Sequence, residues 1–473
     1  MEPDGNCLAA LCDLSKNRGV DKAIDCSGNP EAHRLCIDAV RRCGDVAFVG
    51  ECSDETSIRI SRDMIRKGIR LIGSWHYNMA DFSRLVSTIR AVPEQLEKLI
   101  SHRFPLERVS EAWDLQATGE CAKKSSSNPG RDLVYKCAII GVGPNRSRGL
   151  AQAYRHIECG ELLAVSARTP EHLAAFADEF CIEKRYADYR EMFERERLDL
   201  VHVNTPPSVR LEVMEAADAC GVAALIVEKP LAIDGEDYRA IRSFAESSSV
   251  KIAINHQLHF QPRRFALQQR VAAGDLGEIR SIDASCGMNL AYQGTHALQA
   301  IGAFLPGRAP VQVLAQVSGG DGLKNTPKKH LAPDSALAVI AYDDGIQAHL
   351  QSGATAPEVG REGIHTHKRI AVYGTRGYVH WTMWSWQIGV DGHIEAGAHE
   401  YGAEDILGQA QMTEAMFDWL ADDALVHPLN LQSALVDFNI VLGIYTSALE
   451  RRPVDLPCDP AGGLIDRLRA ELV

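Results

Sequence analysis

The sequence lacks the features that mark several large classes of protein. Its formal net charge is −13 and it has no extended run of basic residues, so it is poorly suited to neutralise nucleic-acid phosphates. No uninterrupted apolar stretch approaches the roughly 20 residues that a membrane span requires. The first residues carry neither the basic region nor the long apolar core of a secretory signal. We therefore expect a cytoplasmic protein that binds neither nucleic acid nor a membrane.

The sequence also lacks the cysteine spacing of a metal site or a disulfide framework. Its 13 cysteines are an odd number, they are scattered along the chain, and no C-x-x-C pair or His/Cys cluster occurs. This pattern predicts reduced thiols and no bound metal. At 473 residues the chain is too long for one hydrophobic core, and we expect two or three domains.

The first part of the chain has the pattern of an incomplete α/β module. Residues 22–26, 45–49 and 69–73 are apolar runs typical of strands, and residues 30–42 have helical spacing. Residues 80–100 are predicted to be helical, with an interruption at Pro93. A polar linker, AKKSSSNPGRD, follows. We place the module at 1–121 and the linker at 122–132.

This module resembles the closing part of a zinc-type medium-chain alcohol or polyol dehydrogenase. Four motifs carry the resemblance, in this order: GVDKAIDCSGNPEA, CGDVAFVGE, IRKGIRLIGSWHYN and FPLERVSEAWDLQATGE. No G-x-G-x-x-G precedes them, and the Cys, His and Glu zinc ligands of that family are missing. The module is therefore interpreted as a remnant of a fusion between neighbouring reading frames; a docking or dimerisation module is the alternative.

The stretch YKCAIIGVGPNRSRGLAQAYRH, residues 135–156, organises the rest of the chain. A strand-like run meets a glycine turn, and helical spacing begins at Leu150. One glycine makes the tight turn, the next lets the backbone approach a pyrophosphate, and the helix start presents free N–H groups. We expect an enlarged phosphate loop with these cofactor-binding residues: Gly141, Gly143, Asn145, Arg146 and Gly149.

The second predicted strand, residues 162–167, ends without the acidic residue that holds the ribose diol in NAD enzymes. Ala167 and Arg168 stand there instead. The missing carboxylate removes repulsion against a 2′-phosphate, which favours NADP over NAD. Alternatively, Arg168 is a solvated charge at a strand end.

Two further motifs stand at the ends of predicted strands at 198–204 and 224–227. They are Asn204-Thr205-Pro206-Pro207 and Glu228-Lys229-Pro230. In this order and spacing they resemble the Gfo/Idh/MocA family of sugar and cyclitol oxidoreductases. The resemblance continues through INHQLHFQPRR, GDLGEI, QGTH, VYGTRGYV and the stretch at 430–457, and so covers about 135–457.

The resemblance implies a Rossmann NAD(P)-binding domain at 133–256 and an α+β substrate and oligomerisation domain at 257–473. Strand-like runs at 280–286, 311–317, 336–342, 347–352 and 368–373 agree with a mostly antiparallel, open sheet. Its free face is the expected homo-oligomer interface. Lys229 would hydrogen-bond the reacting hydroxyl, and Glu228 and Pro230 would shape the nicotinamide side.

The second expected catalytic group is His296, a general acid/base in the word QGTH. The family pattern has Asp four residues earlier, where this chain has Tyr292, whose hydroxyl is expected to support His296. The alternative is that His296 caps the helix at 296–305. Other residues are expected at the substrate: His256, His259, Arg263 and Tyr292. His365 and His367 are either substrate contacts or only polar residues of a loop. Trp381, Trp384 and Trp386 either stack on a sugar or belong to the core, and we favour the core.

These residues predict an NAD(P)-dependent oxidoreductase that acts on a hydroxyl or keto carbon of a sugar, polyol, cyclitol or glycoside. Lys229 would polarise the substrate oxygen and His296 would move the proton. Two alternatives stay open. One is a non-catalytic nucleotide-binding regulator, and the other is an NAD-dependent enzyme that cleaves glycosides.

Overall fold

The structure of the protein, a computed structural model, describes residues 18–51, 54–74, 134–143, 146–157, 159–324, 330–357, 368–460 and 462–473, with a few isolated positions before 18 and at 86 and 89. The chain divides into two compact units, Met1–Ser125 and Ser126–Val473. In the described part, no helix has both the length and the apolar character to cross a membrane. Nine cysteines that the structure describes between Cys26 and Cys458 are free thiols.

The first unit contains a small parallel sheet. Its strands β1 (Val20–Asp25), β2 (Val40–Phe48) and β3 (Arg70–Gly73) lie in that order, and helix α1 (Pro30–Ala39) connects the first two. The helix ends at Ala39 rather than at residue 42, because β2 already begins at Val40. The helices predicted between 80 and 100 lie outside the described residues.

The second unit begins with a six-stranded parallel sheet in the order β6-β5-β4-β7-β8-β9. Its central strands are buried on both faces, as their uninterrupted apolar runs require. The strands are β4 (Tyr135–Ile140), β5 (Gly160–Ser166), β6 (Lys184–Tyr186), β7 (Leu200–Val203), β8 (Ala224–Glu228) and β9 (Lys251–Asn255). The connecting helices are α2 (Arg146–Ala153), α3 (Pro170–Glu179), α4 (Tyr189–Arg195), α5 (Arg210–Ala219) and α6 (Gly235–Ser247).

This strand order creates a topological switch point in the sheet. The chain leaves β4 towards β5 and β6 on one side and returns to β7, β8 and β9 on the other. The crevice at the carboxyl ends of β4 and β7 therefore lies at the switch point, where open α/β sheets bind their ligands.

A nine-stranded sheet follows, in the order β17-β16-β15-β14-β10-β13-β12-β11-β18. Its neighbouring strands are antiparallel except for β10 and β13. The strands are β10 (Ile279–Cys286), β11 (Pro310–Ser318), β12 (Ser335–Tyr342), β13 (Gln347–Ser352), β14 (Lys368–Gly374), β15 (Gly377–Thr382), β16 (Ser385–Val390), β17 (His393–Ala398) and β18 (Val454–Asp455).

Helices cover one face of this sheet and connect it with the first one. Those described are α7 (Pro262–Ala272), α8 (Thr295–Phe304), α9 (Tyr401–Ala421), α10 (Leu431–Glu450) and α11 (Leu464–Leu472). Helices α8 and α10 pack on the sheet, and α9 returns to the Rossmann part, where Phe417 stacks on Tyr135 with 4.5 Å between ring centroids. The predicted fold class is confirmed: parallel Rossmann-type sheets with helices, and a mixed, mostly antiparallel sheet.

The other face of the large sheet carries exposed apolar side chains. Leu314 of β11 is 49% exposed and Leu337 of β12 is 52% exposed. The pairing of Leu314 with Val339 and of Gln316 with Leu337 places these side chains on the same face. Tyr373 of β14 lies on this face as well and is exposed.

Candidate active site

The glycine turn after β4 has the backbone that a phosphate-binding turn needs. Gly141 has φ +86°, and a Cβ on it would meet the carbonyl oxygen of Asn204 at 2.9 Å. Only glycine is accommodated there without strain. A Cβ on Gly143 would meet no described residue within 4 Å, so the described part of the turn is open on this side.

The phosphate loop is shorter than the sequence predicted. Helix α2 begins at Arg146, so Gly149 lies inside the helix rather than before it. The Ser147 hydroxyl donates to the Gly143 carbonyl over 2.8 Å and accepts from the Gly143 N–H over 2.9 Å, and this pair of bonds lets the helix start early. A Cβ on Gly149 would meet nothing within 4 Å, so no close helix–strand contact requires glycine there. Asn145 lies outside the described residues.

A cavity of about 470 Å³ opens beside this turn, at the carboxyl ends of β4, β5 and β7. Two buried polar atoms in its wall, the Asn204 side-chain nitrogen and the Thr205 hydroxyl, have no hydrogen-bond partner among the described residues. A dinucleotide fits these features, because a phosphate or sugar needs an open backbone turn and polar groups. The predicted residues that line the cavity are Gly141, Ala167, Arg168, Asn204, Thr205 and Pro206.

Lys229 follows β8 and is buried, with 6% of its surface exposed. The peptide bond between Lys229 and Pro230 is cis. The lysine amine donates to the Tyr292 carbonyl and lies 4.6 Å from the centroid of the Tyr292 ring. Burial lowers the pKa of Lys229 to about 7, although the Glu228 carboxylate opposes the shift.

The Glu228 carboxylate is held in place from two sides. It accepts a hydrogen bond of 2.7 Å from Asn255 and lies 3.3 Å from the Arg146 guanidinium. Arg146 also lies 3.9 Å from Asp405 of α9, which accepts a 2.7 Å bond from Gln257. The ion pair between Arg146 and Glu228 therefore links the start of α2 to the residue before Lys229.

The predicted acid/base residue, His296, pairs with the predicted substrate residue His256. Their Nδ1 atoms are 3.0 Å apart and both rings are buried. One Nδ1 must donate and the other must accept, so the contact requires at least one ring to be neutral. Burial lowers the pKa of both histidines well below the usual value. The next largest cause is the Lys229 charge for His256, and it is His256 for His296.

Tyr292 has a different position from the predicted one. The expected support of His296 by its hydroxyl is not formed, because the ring lies between the Lys229 amine and His330, 4.7 Å from the His330 ring centroid. Asn289 fixes this segment by accepting a 2.9 Å bond from the Tyr292 N–H. His296 does not cap α8 either: its side chain contacts His256, and residue 294 supplies no side-chain cap.

The remaining predicted substrate residues separate into buried and exposed ones. His259 is buried and contacts Gln299 over 3.0 Å, and Gln299 in turn accepts a 3.0 Å bond from Arg264. Arg263 is exposed and stacks over Trp386 at 4.2 Å, away from this buried group. Trp381 belongs to the core, with 2% exposed, and Trp384 and Trp386 pack against it. His365 and His367 lie outside the described residues.

Arg210, at the start of α5, is a site residue that sequence reasoning missed. Its buried guanidinium donates to three backbone carbonyls: Thr205 at 3.1 Å, Lys229 at 3.1 Å, and Pro230. It thereby joins the cavity wall after β7 to the turn that carries Lys229. The sequence shows this arginine only as the last residue of the motif NTPPSVR. Its role becomes clear only in the structure, where β7 and β8 are neighbouring strands.

No group of three or more His, Cys, Asp or Glu suited to a metal ion is present in the part of the chain that the structure describes.

Two family models match separate parts of the chain. The model described as "Oxidoreductase family, NAD-binding Rossmann fold", of the Gfo/Idh/MocA group, matches residues 135–256. The model described as "Zinc-binding dehydrogenase" matches residues 3–91.

Curated relatives divide in the same way. D-apiose dehydrogenase of Paraburkholderia graminis is 32% identical over 143 residues, which is 30% of this chain and 38% of that protein. An uncharacterized zinc-type alcohol dehydrogenase-like protein of Escherichia coli is 30% identical over 105 residues, which is 22% of this chain and 30% of that protein. The chain thus spans well under half the length of these two relatives.

Solved structures share the fold of the second unit. An oxidoreductase from Agrobacterium radiobacter, in complex with NAD+, L-tartaric acid and magnesium, has a TM-score of 0.59 at 19% identity and covers 68% of this chain and 98% of its own. Levoglucosan dehydrogenase, in complex with NADH and levoglucosan, has a TM-score of 0.58 at 16% identity, with coverage of 68% and 99%.

We expect replacement of Arg210 by Met to leave three buried carbonyls unpaired. Loss of these bonds destabilises the fold, whereas removal of a buried charge stabilises it. Together the two effects should lower the free energy of unfolding by about 2 kcal/mol. NADH affinity should fall as well, because Thr205 and Pro206 form the cavity wall. Urea unfolding and NADH fluorescence titration measure the two effects.

The matched control for this experiment is Arg239→Met, whose guanidinium lies at the surface against Asp459 and the Pro460 carbonyl. That change should cost less than about 1 kcal/mol. Equal losses in the two variants would contradict the role given to Arg210.

The two family matches lie in the two compact units. Residues 135–256 match the NAD-binding Rossmann fold of the Gfo/Idh/MocA oxidoreductases, and residues 3–91 match the zinc-type dehydrogenases. The predicted double resemblance is confirmed: the two segments of the chain resemble two different oxidoreductase families.

Proposed function

We propose that the second unit is an NAD(P)-dependent oxidoreductase that interconverts a hydroxyl and a keto carbon of a sugar, polyol or cyclitol. The observation that carries the proposal is Lys229: a buried lysine with a pKa lowered to about 7. It follows β8, which pairs with β7, and the dinucleotide cavity opens at the end of β7. The names of the relatives support the substrate class, since D-apiose and levoglucosan are polyhydroxylated.

The cofactor is held by residues at the strand ends. Gly141 lets the turn pass close to the Asn204 carbonyl, and Gly143 leaves room for the pyrophosphate. Asn204 and Thr205 offer polar atoms that have no partner among the described residues. When bound, a nicotinamide dinucleotide supplies the carbon that accepts or donates a hydride.

Lys229 is the group that exchanges the proton in this proposal. A pKa of about 7 leaves the amine partly neutral near neutral pH, so it can accept a proton from an alcohol and return it to an alkoxide. The charged form of the same amine favours a developing alkoxide. The role of His296 changes accordingly: the low pKa of the His256–His296 pair makes it a neutral hydrogen-bonding partner for the substrate.

The buried lysine also favours a catalyst over a regulator. Keeping an amine out of water costs stability, and such costs concentrate at sites where a shifted pKa is used. Purified protein should therefore turn over a polyol with net reduction of cofactor. Retained cofactor with glycoside cleavage would instead favour the hydrolytic alternative, and binding without turnover would favour the regulator.

We expect Lys229→Ala to lower kcat about a thousandfold, the contribution typical of a positioned acid/base. In the unmodified protein, kcat/KM for alcohol oxidation should rise with pH up to about 7 and then level, because the lysine must lose its proton to act as a base. NADH absorbance across a panel of polyols measures the two effects. Lys136→Ala, which alters an exposed lysine of β4, is the control. Full turnover by Lys229→Ala would contradict the role of Lys229 in proton exchange.

We propose in addition that NADP is preferred over NAD. Arg168 is exposed at the rim of the cavity, and its guanidinium has no ion-pair partner within the described ranges. It is therefore available to a 2′-phosphate. Replacement by Gln should weaken NADPH binding about tenfold and NADH binding far less.

Fluorescence titration of NADPH and NADH tests the role of Arg168. Arg197→Gln, which removes an exposed arginine outside the cavity wall, is the control. Equal weakening of both cofactors by Arg168→Gln would contradict the NADP assignment.

We propose finally that the exposed face of the nine-stranded sheet joins two or more copies of the chain. Leu314 and Leu337 form an apolar patch on this face, and burial would remove it from water. Leu337→Asp should convert the oligomer to single chains in sedimentation velocity. The control is Leu425→Asp, which alters an exposed leucine outside the sheet and should leave assembly unchanged. A wild-type protein that sediments as a single chain would contradict the proposal.

A further inference from the structure

Arg146 connects the helix after the glycine turn with the strand that precedes Lys229. It is the first residue of α2, and its Nε lies 3.3 Å from Oε1 of Glu228. Glu228 is the last residue of β8 and the residue directly before Lys229. The side chain of Arg146 is 34% exposed and that of Glu228 is 11% exposed. Water therefore screens this ion pair less than it screens a pair at the open surface.

Two donors from different elements hold the Glu228 carboxylate. Besides Arg146, the side chain of Asn255 at the end of β9 donates to the same oxygen over 2.7 Å. The Asn255 side-chain nitrogen also lies 3.4 Å from the side-chain oxygen of Gln409 in α9. The Glu228 carboxylate is therefore held by α2 and β9 together, next to α9.

The Lys229 amine forms no ion pair in the described part of the chain, although the neighbouring residue carries a carboxylate. The amine donates to the Tyr292 carbonyl instead and faces the Tyr292 ring. A carboxylate without other partners attracts a buried amine strongly, because the surroundings screen the two charges poorly. An ion pair between Glu228 and Lys229 would hold the amine in its charged form and remove it from proton exchange.

The charges around Lys229 act on its pKa in opposite directions. Burial is the largest cause of the lowered value, the Glu228 carboxylate opposes it, and the Arg146 guanidinium lowers the pKa further. Lys368 and Arg210 lower it as well. Removal of Arg146 therefore takes away one charge that favours the neutral amine and releases a carboxylate that favours the charged one.

The other titratable groups near Lys229 differ in their pH range. Burial lowers the pKa of His256 and His296 well below the usual value, so both rings are neutral near pH 7. Burial lowers the pKa of Lys368 to about 8. A rate profile sums over the two lysines, whereas the NMR resonances of single lysines separate them.

We propose that Arg146 is a positioning residue for the proton exchange: it pairs with Glu228 and so keeps this carboxylate from the Lys229 amine. The amine then remains free to meet the substrate hydroxyl. This role towards the lysine is separate from the place of Arg146 next to the phosphate-binding turn. The inference rests on the proposed function, since it concerns the lysine of that site.

Replacement of Arg146 by Gln should strengthen proton binding by Lys229 about tenfold. Its titration midpoint should then move upward from about pH 7 by about one pH unit. Titration of 13C-labelled lysine in the substrate-free protein measures this shift, and Lys229→Ala identifies the resonance. With saturating cofactor, the pH dependence of kcat/KM for alcohol oxidation should move in the same direction.

Arg148→Gln is the matched control, because it removes the same charge from the same helix. Arg148 pairs with Glu179 over 2.7 Å and its side chain is 43% exposed, so the Lys229 midpoint should not change. Arg146→Lys keeps a positive charge and should change the proton affinity of Lys229 less than about threefold. An unchanged midpoint in Arg146→Gln, or an equal shift in Arg148→Gln, would overturn the proposal. Thermal unfolding of each variant confirms that it is folded.

Glu228→Gln tests the same contact from the other side. Loss of this carboxylate should weaken proton binding by Lys229, because the charge that opposes the effect of burial is gone. In that background, Arg146→Gln should change the proton affinity less than about threefold, since no carboxylate is left to release. A raised or unchanged midpoint in Glu228→Gln, or a full effect of Arg146→Gln in both backgrounds, would contradict the role given to the pair.

Cofactor binding and turnover separate this inference from the function on which it rests. Weaker NADH binding by Arg146→Gln with an unmoved Lys229 midpoint would make Arg146 a cofactor-binding residue alone. That result would overturn the inference and leave the oxidoreductase proposal standing. The expected shift in a protein that oxidises no polyol would do the reverse.

Discussion

The burial of the Lys229 amine is the constraint on which the rest of the site depends. An amine held out of water must find acceptors, and here it has the Tyr292 carbonyl, the face of the Tyr292 ring and the neighbouring Glu228 charge. Burial moves its pKa towards neutrality, where proton exchange with an alcohol is most efficient. Burial also lowers the pKa of His256 and His296, and the nearby cationic amine of Lys229 adds to both shifts.

The site exists only because two sheets meet around this lysine. β8 of the Rossmann part supplies Lys229, whereas the segment before α8 supplies Tyr292 and α8 supplies His296. Helix α9 then packs against α2 and brings Asp405 to Arg146. The Arg210 guanidinium donates to the carbonyls of both Thr205 and Lys229, and so holds the cavity wall and the turn at Lys229 at a fixed distance. A change in any of these contacts would alter the distance between the cavity and the Lys229 amine.

The sequence predicted the parts of this arrangement that follow from strand ends. The glycine turn, the N-T-P-P word and the E-K-P word each follow a buried strand, and the carboxyl ends of parallel strands meet at one edge of a sheet. Contacts between elements far apart in the chain were not predictable. Arg210 is tied to Lys229 only through the pairing of β7 with β8, and Lys368 approaches His296 only through the fold of the second sheet. The helix start at Arg146 was missed because the Ser147 hydroxyl, not a glycine, closes the turn.

Burial of Lys229 should make its amine titrate near neutral pH. An NMR titration of protein labelled with 13C at the ε-carbon of lysine measures this directly, with Lys229→Ala to assign the resonance. One lysine resonance should titrate near pH 7 and be absent from the variant. A Lys229 resonance that titrates with the exposed lysines, near their ordinary pKa of about 10.4, would contradict it.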